Sequence, residues 1–282
     1  YVLIYSLFIE LVGLILLTIT WFDELGFGKA AYHAFFYTIS AFNNAGFALN
    51  SSSLVPYFNN LPVNLVITAL FMIGGIGFLV LIDISTHKKW HKLSVNTKIV
   101  LLSTLIINFC AFVLIWMLEA RNPATLGQLS VADQAITAWF QAVTPRTAGF
   151  NTLAIEELTD ATTVLMILLM YIGGGSLSTA SGIKIGTFVI LIMATYAFLR
   201  RRDDVVILKR TIPQPQVMKA LALTIVSIIM IFIGIFVLSI TEKAPLPDIV
   251  FEVVSALSTV RSSRGITGHL SMGGETVIIF SM

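Results

Sequence analysis

Charge is scarce in this chain. Of 282 residues, 17 are Lys or Arg and 15 are Asp or Glu, which is 11% of the chain; ordinary soluble domains carry about 25%. A soluble globule of this size could bury a large core but could not coat itself with so few charges. The net charge of +2 gives no basic surface for nucleic acid. Cysteine is scarcer still. Cys110 stands alone, which excludes a disulfide scaffold. Intrinsic disorder requires low hydrophobicity, and 57% of this chain is hydrophobic. No nucleophile–base pair or carboxylate dyad stands out, so an enzyme reading has almost no support. What remains is an all-α polytopic membrane protein.

A helix needs about 20 apolar residues to cross the hydrocarbon. Four runs meet that length: Tyr1–Phe22, Leu61–Ile84, Thr97–Leu118 and Met218–Ile240. A fifth, Ala161–Leu199, is long enough but carries a polar, glycine-rich interruption. Three stretches are too short: Ala30–Phe42, Ala132–Val143 and Pro247–Leu257. A 12-residue helix reaches only about 18 Å. Each short stretch runs into Gly, Thr, Asn or Ser, so each reads as a half-helix ending in an irregular loop. Tyr1 lies inside an apolar run with no basic leader, and Thr276–Met282 is too short to cross. The sequence therefore reads as part of a longer protein, or as a truncated copy.

Basic residues orient the spans. The segments 86–98 and 200–219, with Asp83, Asp203 and Asp204, hold ten basic residues against three acidic, a balance of +7. The loops on the other side hold six against eleven, a balance of −5. The basic side is expected to face the cytoplasm and the half-helix loops the exterior.

The order span, half-helix, re-entrant loop, span repeats in one direction. Ala45-Gly46-Phe47 aligns with Ala148-Gly149-Phe150 at an offset of 103. A third unit begins at Met218 and reaches the loop Ser258-Thr259-Val260. The units are expected at 1–94, 95–217 and 218–282, the last one incomplete. Non-helical backbone survives at membrane depth only where protein or water satisfies it. Three such loops on one side suggest a ring around a pore. Carbonyl oxygens there can replace the hydration shell of a cation, and half-helix C-termini favour positive charge.

The loops Phe42-Asn43-Asn44-Ala45-Gly46-Phe47 and Thr144-Pro145-Arg146-Thr147-Ala148-Gly149-Phe150-Asn151 resemble the filter loops of the Trk/Ktr/HKT superfamily. The nearest likeness is to the membrane subunit of bacterial Ktr potassium-uptake systems. The stretch Gly173-Gly174-Gly175-Ser176-Leu177-Ser178-Thr179-Ala180-Ser181-Gly182-Ile183-Lys184 is similar to that family's broken inner helix and gating loop. The resemblance covers essentially the whole chain. It implies four repeats around one pore, of which this sequence supplies the second, the third and most of the fourth. It also implies K+ uptake, often Na+-dependent, with no cofactor in this chain. Further implications are a homodimer on a cytosolic nucleotide-binding ring, in the lipid bilayer of a bacterial plasma membrane. The filter residues carried over are Asn44, Ala45, Gly46, Phe47, Thr147, Ala148, Gly149, Phe150, Thr259, Val260 and Arg261. The gate residues run from Gly173 to Lys184.

One departure stands out. The family's last filter reads Thr-Val-Gly, whereas here Thr259-Val260 is followed by Arg261-Ser262-Ser263-Arg264. A guanidinium on the axis would repel K+ and occupy its site. Three readings stand: a copy that does not conduct, an Arg261 turned away from the axis, or a local sequence error. Arg146 is expected to support the filter by bonding carbonyls behind it; a pair with Glu156 or Glu157 is the plain alternative. Lys184 is either a gate residue or a lysine snorkelling to the interface. Asn43 and Asn44 either cap the half-helix or line the pore. Gly74, Gly75 and Gly77 are expected to allow close helix packing. His87 and His91 have metal-ligand spacing, but a solvated basic loop is the better reading.

Overall fold

The computed structural model describes residues 2–202 and 204–282. Tyr1, the first residue of the first expected span, and Asp203, counted in the basic-side balance, lie outside the described residues. The fold is mostly helical with little strand.

Helix α1 (Val2–Phe42) is 41 residues long, but Gly26 breaks it with φ 71° and ψ 161°. In a straight helix Trp21 and Tyr37 would stand about 24 Å apart. Their ring centroids are 5.5 Å apart instead. The chain therefore folds back at Gly26, which only a residue without Cβ adopts readily. The first span and the first half-helix become two antiparallel arms with no loop between them. Asn43 Nδ2 donates to Glu10 Oε1 across the arms at 3.2 Å.

The second span departs from expectation. Leu61–Ile84 is not one straight helix: α2 (Leu61–Ile76) and α3 (Phe78–Thr86) meet at 92° around Gly77. A helix end leaves orphan carbonyls and amides, and here the segment 172–184 satisfies them. Gly175 N donates to Gly75 O at 2.8 Å, Thr179 N to Gly74 O at 3.3 Å, and Phe78 N to Leu177 O at 3.1 Å. The glycines of α2 do permit close packing, but against this segment and the α1 terminus rather than against a neighbouring span.

Helices α4 (Val95–Glu119), α5 (Val131–Val143) and α6 (Asp160–Tyr171) each start after a hydroxyl cap: Ser94, Ser130 and Thr159 accept from the backbone amides of Thr97, Asp133 and Thr162. Such caps satisfy one orphan donor each. Helix α7 (Ile185–Leu199) resumes beyond the break. A two-residue hairpin, β1 (Val206–Ile207) with β2 (Arg210–Thr211), then interrupts the basic connector; nothing in the sequence pattern announced it. Helices α8 (Gln214–Thr241), α9 (Leu246–Leu257) and α10 (Met272–Ser281) complete the chain.

Two cores form where half-helices meet spans. One joins Trp21, Tyr37, Phe71, Phe140 and Phe150; the other joins Ile115, Met166, Leu169, Phe251 and Val254. Outside them, α1 exposes Leu3, Phe8 and Ile19, α4 exposes Leu105 and Phe109, and α8 exposes Val226, Phe232 and Phe236. Continuous apolar faces of this kind belong against lipid or other protein, not water.

Candidate functional site

The C-termini of the second arm of α1, of α5 and of α9 lead into three loops with one backbone pattern. Two positive-φ residues flank a single residue in each. They are Asn44 (51°) and Gly46 (67°), Thr147 (68°) and Gly149 (75°), and Thr259 (50°) and Arg261 (67°). The pattern identifies Ala45, Ala148 and Val260 as equivalent, and sets Arg261 at the glycine position.

The loops meet in a cyclic order. A Cβ placed on Gly46 would lie 2.9 Å from Ala148 O, and one on Gly149 would lie 2.7 Å from Val260 O. The carbonyls of Ala148 and Val260 therefore abut the glycine of the preceding loop. Only a bare Cα leaves room for that approach. Among the described residues, no donor bonds Ala148 O or Val260 O. Ala45 O accepts from Arg261 Nη1. The guanidinium also stacks 4.6 Å above the Phe47 ring. Arg261 thus points at the first loop. Phe47 is exposed, whereas Phe150 is fully buried against Tyr37.

Polar side chains tie the loops together. Asn44 Nδ2 donates to Thr147 Oγ1 at 3.2 Å. Thr179 Oγ1 donates to Asn44 Oδ1 at 3.2 Å, with Phe42 O at 3.3 Å. The side chain of Asn44 therefore links the first loop to the second and to the segment 172–184. That segment is closed at its neck by Gly173 N to Ile183 O at 2.9 Å and Ile185 N to Gly174 O at 3.0 Å. Its glycines sit where a side chain cannot: a Cβ on Gly173 would fall 1.7 Å from Ser181 O, and one on Gly175 would fall 1.9 Å from Ile76 O. Ser178 Oγ donates to Gly175 O at 2.7 Å within the loop. Gly182 adopts φ 72°, while Ser176 O lies 2.5 Å from where a Gly77 Cβ would stand.

Arg146 is buried, with Nη2 2.9 Å from Gly173 O and Nη1 3.2 Å from Asn108 Oδ1. The carbonyl it bonds belongs to the 172–184 neck rather than to a neighbouring filter loop, and neither Glu156 nor Glu157 is its partner. Lys184 Nζ donates back to Ala180 O at 2.5 Å. With Gly182, Tyr171, Ser227 and Ser258 it lines a cavity of about 430 Å³. His87 Nδ1 faces Asp83 Oδ1 at 2.9 Å.

Sequence reasoning missed several contributors. Asn108 shares Arg146. Glu119 is fully buried and accepts from Thr159 N at 3.0 Å, Thr125 Oγ1 at 2.7 Å and Asn122 Nδ2 at 2.7 Å. Ser40, Thr144 and Ser255, one in the last turn or cap of each half-helix, bond the loops. Their only signal was a hydroxyl five or six residues before each glycine position.

This arrangement defines a class: an all-α membrane protein whose three half-helix loops converge at their glycine positions. Residues 1–282 match the family model described as TrkH, a cation transport protein. The chain belongs to that family. It is 44% identical over 279 residues to the Ktr system potassium uptake protein B of Bacillus subtilis (strain 168), covering 99% of this chain and 63% of that protein. It is 41% identical over 280 residues to the Ktr system potassium uptake protein B of Vibrio alginolyticus, covering 99% and 62%. The potassium/sodium uptake protein NtpJ of Enterococcus hirae is 34% identical over 286 residues, covering 100% and 63%. The chain thus spans a little under two thirds of these relatives. Among solved structures, the potassium transporter TrkH from Vibrio parahaemolyticus shares the fold, with a TM-score of 0.78 at 20% identity over 96% of this chain and 59% of that one.

Proposed function

We propose that this chain is the pore-forming part of a K+ uptake protein, with Na+ as the second cargo candidate. The observation that carries this is the ring of backbone carbonyls at Ala45, Ala148 and Val260, two of them without a donor among the described residues. A buried unpaired carbonyl is costly, and a dehydrating cation is the partner that satisfies several at once. The names of the relatives support the same cargo. In this reading Asn44–Phe47, Thr147–Phe150 and Thr259–Arg261 form the filter. Residues 173–184, bonded to Asn44 and Phe42 at the base of that filter, are the gate. Arg146 couples filter to gate by holding Gly173 O. The three units are 1–94, 95–217 and 218–282. The basic side faces the cytoplasm of a bacterium and meets a nucleotide-binding ring, and the complete protein works as a homodimer in the plasma membrane.

The test is growth of a K+-uptake-deficient bacterium carrying the complete protein. Rescue at low K+ is expected; no rescue by a correctly inserted protein refutes the reading. A second reading, a subunit that inserts but does not conduct, is favoured by one observation: Arg261 already occupies Ala45 O. Rescue by the Arg261→Gly form alone would select it.

A further inference from the structure

We propose that Ser40, Thr144 and Ser255 are positioning residues of the ring, each acting as a two-point clamp on its loop. The backbone carbonyl of each accepts from the residue before the glycine position: Ala45 N to Ser40 O at 2.8 Å, Ala148 N to Thr144 O at 3.1 Å, and Val260 N to Ser255 O at 2.8 Å. The hydroxyl of the same residue donates to the carbonyl just after the glycine position. Ser40 Oγ reaches Phe47 O at 2.8 Å, Ser255 Oγ reaches Ser262 O at 2.6 Å, and Thr144 Oγ1 bonds Phe150 O. All three residues are buried.

The ordinary role of a hydroxyl in a membrane helix is to bond the carbonyl four residues back. Thr18, Thr20 and Thr224 do that here. Ser40, Thr144 and Ser255 instead reach forward by seven, six and seven residues, out of the helix and across the loop. The contact recurs although the clamped residues differ, two phenylalanines and a serine. It has two consequences. The post-glycine carbonyl is bonded back to the half-helix, so it is removed from the free acceptors of the loop. The loop is also over-determined, which holds positive φ even where the residue is not glycine. That accounts for Arg261 keeping the backbone of Gly46 and Gly149.

This role rests on the transport reading above. The experiment uses the complete protein and its Arg261→Gly form as parents, with K+ uptake normalised to inserted protein. Ser40→Ala, Thr144→Val and Ser255→Ala remove the hydroxyl with little change of volume. Each is expected to raise the KM for K+ about fivefold, the loss of one net hydrogen bond, and to let Na+ compete more strongly. Thr144→Ser, which keeps the hydroxyl, is expected to match the parent. An unchanged KM and unchanged Na+ competition in the inserted variants overturns the proposal. So does failure of all three hydroxyl-less variants to insert while Thr144→Ser inserts, because the hydroxyls are then fold anchors. If neither parent carries K+, the transport reading fails first and this role falls with it.

Discussion

Replacing Arg261 by Gly in the complete protein tests the chemistry of the ring most directly. The guanidinium bonds Ala45 O, so a K+ on the same oxygen would lie about 4 Å away. Two unit charges at that separation repel by about 4 kcal/mol at an effective dielectric of 20, or about a thousandfold in occupancy. That is an upper bound, since the side chain can swing outward. The fold itself should hardly notice the change. Relief of a non-glycine residue at φ 67° recovers about 1 kcal/mol. The lost stacking over Phe47 costs a similar ~0.5–1 kcal/mol. Flux should therefore rise by one to three orders of magnitude at unchanged abundance. The assay is Rb+ or K+ uptake in K+-depleted cells, with membrane abundance measured alongside. Arg261→Gln separates the causes: it recovers most of the flux if charge dominates and little of it if the Cβ does. Equal flux in the Arg and Gly proteins at equal abundance would refute the argument.

Four further outcomes are expected. Gly149→Ala puts a Cβ 2.7 Å from Val260 O at φ 75°, a strain of about 1–3 kcal/mol; K+ uptake should fall at least fivefold, and unchanged uptake would count against the ring. Arg146→Met leaves Gly173 O and Asn108 Oδ1 without their donor; about 1.5–3 kcal/mol of stability should go, read as a lower Tm in detergent, with an unchanged Tm contradicting the assignment. Glu119→Leu strands the donors of Thr159, Thr125 and Asn122; it should cost about 1–3 kcal/mol and open residues 120–130 to protease, while an equally resistant loop would show the carboxylate to be dispensable. The Ser271 hydroxyl and amide hold the Glu242 carboxyl below its usual 4.5. A lowered folded-state value contributes stability above about pH 4.5 that is lost as the pH falls through the folded value. Proteolysis of residues 265–271 should therefore rise below that pH, and a Glu242→Gln protein should show no such pH dependence.

Run length and scarcity of charge made the spans and half-helices legible, because both follow from bilayer thickness. The offset of 103 between Gly46 and Gly149 likewise picked out two loops that share one backbone pattern. The break at Gly77 was not legible. Leu61–Ile84 is long and mostly apolar, and its break is capped by a segment a hundred residues further on, whose amides and carbonyls take over the helix bonds. Arg146 was expected to bond carbonyls, but its partners Gly173 and Asn108 on distant elements were not legible. Arg261 was visibly out of place in the sequence; only the geometry shows that it reaches Ala45. The hydroxyl clamps were hidden for another reason. Serine and threonine are common in membrane helices, and nothing in their spacing separates a forward bond from the usual backward one.

If the chain carries a cation, as proposed, backbone carbonyls rather than acidic side chains are the groups that meet it. Irregular backbone in a membrane must find partners, and here much of it does. Gly74 O and Gly75 O take amides from the 172–184 segment, Gly173 O takes Arg146, and Phe47 O, Phe150 O and Ser262 O take the three hydroxyls. Among the described residues, these bonds pass over the carbonyls of Ala148 and Val260 and leave Ala45 to a guanidinium. The acceptors of Ala148 and Val260 are thus left free beside the glycines of the neighbouring loops. A neutral donor could satisfy one such oxygen, because its hydrogen points one way. A cation without a fixed bonding direction can satisfy all of them together. Arg261, itself a cation, already bonds the Ala45 carbonyl in this chain, as the proposed K+ would.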